Sequence, residues 1–243
     1  MNTLEHECWG LIPARGGSKS VPMKNLAQLD GRPLIDYCVA AGKEVKAVSR
    51  FICSTDSDVI AQHCRDLDVE VHPRPAELGQ DATPLFDVLV HLIDDIESRE
   101  GAVAEYFALL QPTSPFVLPE HISRCIEGLE NDRVAASAQT IVDCPHNHHA
   151  FNQRVVNDGY VSFRFLEERK KAYNKQTKPK HYFFGNIVVF RVREALQQGI
   201  VFAQPSIPHV IPYSYGFDCD GPDDFVIGNL MLTSGLVSLP HMK

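Results

Sequence analysis

Short apolar runs alternate with helical stretches through the first half of the chain, and this alternation constrains the fold most tightly. Trp9 to Ala14, Arg50 to Thr55, Val69 to Val71, Tyr106 to Leu110 and Val134 to Ala138 each read as a strand. Helices are expected between them. One opens at Pro33, where a missing N–H costs little because the first helical N–H has no intrahelical partner. A second follows Asp58, a third is capped by Thr83 and runs to about Ile96, and a fourth begins at Pro119 and Glu120. Strands separated by helices of roughly 10–15 residues predict βαβ units. The expected class is therefore α/β, with a mostly parallel central sheet and helices on both faces. Phe183 to Arg191 adds a strand, Phe217 to Asp220 a short extended piece, and Asp223 to Leu230 a helix. Sheets of this kind bind ligands beyond the carboxyl ends of their strands. Arg15–Asn25, Ser54–Asp56 and Gln111–Ser114 fall at those ends and are expected to converge.

The 243 residues suit one domain, 1–243, with an excursion. Ile141 to Lys180 is polar, rich in His and basic, and predicts an arm at about 141–182. Arg169, Lys170, Lys171, Lys175, Lys178 and Lys180 crowd one part of it. Against 31 acidic residues the chain has 23 Lys and Arg, a formal charge of −8, so whole-surface attraction to a nucleic acid polymer is not expected. No apolar run approaches the roughly 20 residues of a membrane span. Seven cysteines, odd in number, widely spaced and without a CxxC, point to thiols in a reducing compartment. With an acidic, polar N-terminus unlike a signal peptide, the expected location is cytoplasmic.

Two segments carry chemistry. In Pro13-Ala14-Arg15-Gly16-Gly17-Ser18-Lys19-Ser20-Val21-Pro22-Met23-Lys24-Asn25, adjacent glycines permit φ > 0 turns and close approach of backbone N–H groups to an anion. Arg15, Lys19 and Lys24 add the positive charge that a triphosphate needs. The pattern is neither GxxxxGK[ST] nor GxGxxG; the competing reading is a solvated surface loop. In Asp218-Cys219-Asp220, strand-like alternation puts both carboxylates on one side. A divalent cation relieves their repulsion, and Mg2+ accepts carboxylate, water and phosphate oxygens; the competing reading is an acidic turn. Cys144, His146, His148 and His149 are spaced too tightly for a usual structural zinc site.

These residues resemble the acylneuraminate cytidylyltransferase family, the synthetases of CMP-N-acetylneuraminic acid and of CMP-legionaminic and CMP-pseudaminic acids. The resemblance runs from Gly10 to about Leu230. It rests on Ile12–Lys19 with Pro22, Lys24 and Asn25; on Ser54-Thr55-Asp56; on Arg74-Pro75-Ala76-Glu77-Leu78 with Asp81; on Leu110–Pro115; and on Asp218-Cys219-Asp220 with Asp224-Phe225. It implies a Rossmann-like nucleotidyltransferase fold and a homodimer whose arm reaches the neighbouring active site. The implied reaction is CTP plus a nonulosonic sugar acid giving CMP-sugar acid plus pyrophosphate, with Mg2+. The anomeric C2 hydroxyl attacks the α-phosphorus. By resemblance, Ala14, Arg15, Gly16, Gly17, Ser18, Lys19, Lys24, Asn25 and Arg74 hold the nucleotide. Asp218 and Asp220 hold the metal, and together with Arg15 and Lys19 they form the catalytic set. Gln111, Thr113, Lys175 and Tyr182 meet the sugar acid.

The sequence departs from the family pattern in places. Lys175 stands where Arg is usual, Lys178 where Leu is, Gly185-Asn186 where Asn-Gly is, and Cys219 and Gly221 within the usual Asp-Ile-Asp-Thr. Lys attracts a carboxylate without reproducing the Arg fork. The departures fall where acceptor contacts are expected, so the acceptor need not be N-acetylneuraminic acid. Two alternatives stand beside this reading. One is another sugar nucleotidylyltransferase, with a Kdo-type acceptor or a different NTP; the other is a binding homologue that has lost its chemistry.

Overall fold

The computed structural model describes residues 1–242. A seven-stranded sheet in the order β11-β7-β10-β6-β1-β4-β5 forms its centre. Its strands are β1 (Thr3–Pro13), β4 (Val48–Thr55), β5 (Glu70–Pro73), β6 (Val103–Leu109), β7 (Ser137–Asp143), β10 (Tyr182–Arg191) and β11 (Ser206–Val210). The pairs β1–β4, β1–β6, β4–β5 and β7–β11 are parallel. Only β10 runs the other way, between β6 and β7. The minor strands are β2 (Gln28–Leu29) with β3 (Arg32–Pro33), and β8 (Arg154–Asn157) with β9 (Tyr160–Phe163).

The helices are α1 (Leu34–Lys43), α2 (Asp58–Asp66), α3 (Leu85–Glu100), α4 (Pro119–Asn131), α5 (Leu166–Lys171), α6 (Val192–Gln198) and α7 (Pro222–Thr233). Apolar side chains of α1, α2 and α4 share one core with Cys8, Ile12 and Cys53 of the sheet. Those of α3 and α6 share another with Trp9, Leu11 and Ile52 on the opposite face. On α3 the buried Leu89, Leu92, Ile93 and Ile96 follow the i, i+3, i+4, i+7 spacing that gives a helix one apolar side. Each such burial contributes about 1.5–3 kcal/mol.

Several boundaries differ from expectation. β1 begins at Thr3, because Thr3 and Leu4 pair with Val103 and Ala104 before the register shifts, and His6 lies at φ 62°. Thr83 does not cap α3; its hydroxyl donates to the Glu77 carbonyl and Pro84 occupies the cap position. β7 starts at Ser137 and not at Val134, since the Asp132 carboxylate takes the N–H groups of Val134 and Ala135. Phe217 to Asp220, expected as a short extended piece, forms no strand and belongs to no sheet.

The carboxyl ends of β1, β4, β5 and β6 all lie at one edge of the sheet. β7 ends there too, with Asp143 opposite Tyr182 at the start of β10. The excursion between them leaves and returns at a single point, where Cys144 N–H donates to the His181 carbonyl at 2.9 Å. It carries short 3-10 turns, the β8–β9 hairpin and α5. All seven cysteines are free thiols. Among the described residues, no helix is long and apolar enough to cross a membrane.

Candidate active site

A cleft of about 240 Å3 opens at that edge, lined by Arg15, Gly17, Ser18, Lys24, Asn25, Arg74, Gln111 and Thr113, with Gln80, Asp81, Thr83, Leu85 and Val88 completing its wall. Ala14 is buried at its root, and its N–H donates to the Ser54 carbonyl at 3.0 Å. The loop that follows is held from behind. The Gly16 N–H donates to the Asp56 carboxylate at 2.7 Å, and Asn25, itself buried, donates from Nδ2 to the Arg15 carbonyl at 2.9 Å. Neither Gly16 nor Gly17 adopts a positive φ, contrary to the expected turn. Gly16 is needed for close approach, since a Cβ there would lie 2.8 Å from the Ser57 Cβ. A Cβ at Gly17 would meet nothing within 4 Å, so that position faces open space.

Arg74 is buried; its Nε and one terminal nitrogen donate to the Ser54 hydroxyl and carbonyl at 3.2 and 2.7 Å. Burial lowers the pKa of its guanidinium from the ordinary value, with the Asp56 charge opposing. The loop cations all have carboxylate partners. Lys24 Nζ lies 2.8 Å from Asp220 Oδ1, across 196 residues of sequence. Arg15 pairs with Asp81, and Lys19 reaches the other oxygen of Asp81 at 2.6 Å. Lys19 is otherwise open to solvent and Ser18 faces the Ser20 hydroxyl at 3.5 Å.

Asp218 and Asp220 flank the buried Cys219, as alternation predicts. The Cys219 N–H donates to the Thr113 carbonyl at 2.7 Å, tying this segment to the loop after β6. Asp218 is exposed as a residue, with Thr113 and Asp220 beside its carboxyl. Burial first, then the Asp220 charge, pushes it up to about 6, while Lys24 holds Asp220 below the usual carboxylate range. The repulsion between them suits a cation. Among the described residues, no group of three or more His, Cys, Asp or Glu side chains is placed to hold a metal by itself. Two carboxylates beside a cleft lined by Arg15, Lys24 and Arg74 nevertheless fit Mg2+, which keeps several waters and shares oxygens with a bound phosphate. The His-rich segment does not gather: His149 Nε2 faces the Pro179 carbonyl at 3.0 Å and its ring stacks on His181.

Lys175 lies elsewhere, in a separate cavity of about 560 Å3 within the arm, beside His146, Lys178 and His181. Tyr182 is exposed at the start of β10. Neither lines the cleft formed by the same chain. Asn186 is not available to an acceptor. It is buried, donating from Nδ2 towards the Phe116 and Tyr215 carbonyls and His121 Nδ1, and accepting from the Thr140 hydroxyl. The expectation that Gly185-Asn186 marks acceptor contacts is thereby corrected for the Asn186 side chain. The partnerships of Asp56 and Asp81 had no signal in the sequence beyond their place in the motifs, since both act across tens of residues on side chains or N–H groups of the loop.

Comparison with known proteins gives the family and the fold. A family model described as Cytidylyltransferase matches residues 9–206. An N-acylneuraminate cytidylyltransferase of Streptococcus agalactiae serotype V is 28% identical over 90% of this chain and 52% of its own length. One from Escherichia coli O18:K1:H7 is 26% identical over 88% and 49%. The chain thus spans about half the length of these two relatives. A CMP-N,N'-diacetyllegionaminic acid synthase of Legionella pneumophila is 25% identical over 89% of this chain and 92% of its own. A solved CMP:2-keto-3-deoxy-manno-octonic acid synthetase complexed with CTP shares the fold at TM-score 0.71 and 17% identity, covering 94% of this chain and 99% of the other.

Proposed function

From the premise that this chain belongs to the cytidylyltransferase family, we propose that it transfers CMP from CTP to a nonulosonic sugar acid, releasing pyrophosphate. One observation carries the reading. The loop after β1 and the Asp218/Asp220 pair, remote in sequence, meet through Lys24, which lines the cleft and bonds Asp220. Cationic loop, cleft and paired carboxylates are the parts that a triphosphate and its metal require.

In this reading Arg15, Lys19 and Lys24 hold the phosphates, Arg74 supports the nucleotide side of the cleft, and Gln111 and Thr113 face the acceptor. Asp218 and Asp220 would hold Mg2+, which supplies neutralisation of the phosphate charge when bound. The C2 hydroxyl oxygen bonds to the α-phosphorus as the bond to the pyrophosphate oxygen breaks. Orientation and charge neutralisation carry most of the acceleration, so no strongly activated side-chain nucleophile is required. Lys175 and Tyr182, outside the cleft of their own chain, reach an acceptor through the arm of a homodimer. The relatives named for N-acylneuraminate and for diacetyllegionaminic acid support a nine-carbon acid as acceptor.

Pyrophosphate release tests this, with CTP, ATP, GTP and UTP each offered with N-acetylneuraminic, legionaminic, pseudaminic and Kdo acids and Mg2+. Turnover with CTP and a nonulosonic acid is expected. Preference for another nucleotide, turnover with Kdo alone, or silence throughout would overturn the proposal.

A further inference from the structure

Asp81 divides its two carboxylate oxygens between two cations of the loop. Oδ1 accepts from an Arg15 terminal nitrogen, and Oδ2 lies 2.6 Å from Lys19 Nζ. Two oxygens on one centre, each taking a different cation, is also how a phosphate group would engage this pair. The carboxylate stands in the wall of the cleft, in the short segment between the Ala76–Gly79 turn and α3 that belongs to no helix or strand. Its side chain is 38% exposed and that of Lys19 87%, so the pairing is of the weak, solvent-screened kind that a stronger anion displaces.

We propose that Asp81 is an internal stand-in for a nucleotide phosphate: in the free protein its carboxylate fills the anion position between Arg15 and Lys19, and phosphate binding expels it. This rests on the reading of the loop as a phosphate site. It has two consequences. Arg15 and Lys19 stay gathered about one anion position before nucleotide arrives. Asp81 also competes with pyrophosphate for the same two cations after transfer, which favours release of that product. Lys24 is engaged differently, since its partner Asp220 belongs to the proposed metal pair.

Calorimetric titration of the full chain with inorganic pyrophosphate and with CTP, at fixed Mg2+, tests the proposal on wild type, Asp81→Asn and Asp81→Glu. Asp81→Asn removes the competing charge while keeping the shape, and binding is expected to tighten by roughly 3- to 10-fold, the scale of two exposed ion pairs. Its affinity should also fall more steeply with added NaCl. Asp81→Glu retains the charge and should stay within about twofold of wild type by the same reasoning. Asp81→Ser serves if the Asn variant folds poorly, and should tighten likewise. Unchanged or weaker binding in the charge-removing variants, with their melting midpoints preserved, would overturn the stand-in role and make Asp81 a brace for the loop. Failure of every protein, wild type included, to bind either ligand would instead overturn the phosphate-loop reading and this inference with it.

Discussion

His121 should make this fold acid-sensitive in a calculable way. It sits in the first turn of α4, 6% exposed, with its ring edge-on to Tyr215. Nδ1 receives N–H groups from Leu118 at 3.2 Å and Asn186 at 3.0 Å. The Phe116 and Tyr215 carbonyls hold the Asn186 amide with its nitrogen inward, so a proton on Nδ1 would have to displace both donors. Burial, above all, lowers the ring to about 4 from an ordinary 6.5; Glu120 pulls it up and Arg124 down. The positive end of the helix dipole also disfavours a charged ring there. Between those two values the unfolded chain binds a proton that the folded chain does not. The contribution is therefore complete above the unfolded value and is lost as pH falls towards 4. Linkage gives a loss of about 2 kcal/mol at about pH 5, approaching about 3 kcal/mol at lower pH. Urea unfolding followed by the fluorescence of Trp9, the single tryptophan, would measure it at about pH 7 and about pH 5. His121→Gln keeps an acceptor for the Leu118 N–H, as in a capping box, but does not titrate. Wild type should lose about 2 kcal/mol more than the variant between the two pH values, other histidines cancelling in the difference. Equal losses would refute the reasoning.

Asp220→Asn should fold normally and lower turnover by roughly 100-fold or more, while unchanged activity across a Mg2+ titration would count against a metal role. In Gly16→Ala, the Cβ would press on Ser57 and shift the loop off Asp56; CTP should bind roughly tenfold more weakly, at about 1.4 kcal/mol, with little change in melting temperature. Lys175→Ala should raise KM for the sugar acid more than for CTP, whereas equal effects would mark Lys175 as structural. Leu92→Ala on α3 should cost about 2–5 kcal/mol in urea unfolding; a loss well under 1 kcal/mol would mean this core has slack.

The alternation of strand and helix was legible because a strand covered on both faces reads as an unbroken apolar run. Direction was not. Phe183 to Arg191 has the same apolar character whether it runs with or against β6, so the reversal of β10 left no mark in the sequence. β11 went unseen because Ser-Ile-Pro-His-Val is short, half-buried and interrupted by a proline, as edge strands can be. The site divides similarly. Arg15, Lys24, Gln111 and Thr113 could be placed together because each follows a strand end. The inward turn of Asn186 and the two-handed grip of Asp81 depend on partners set by the packed fold, and no local pattern encodes them.

The reversed strand has a consequence for how the molecule is assembled. Among the described residues, β10 is the only strand joining β11-β7 to β6-β1-β4-β5. Until a ribosome has made residues up to Arg191, the growing chain holds the partial sheet β6-β1-β4-β5 and a lone β7, each with a naked edge awaiting the same late strand, and β11 comes later still. A nascent chain stalled within the arm would expose both edges, which are templates for pairing with other chains. Synthesis of the arm therefore sets the interval during which this protein is most open to misassembly, and shortening the arm would shorten that interval.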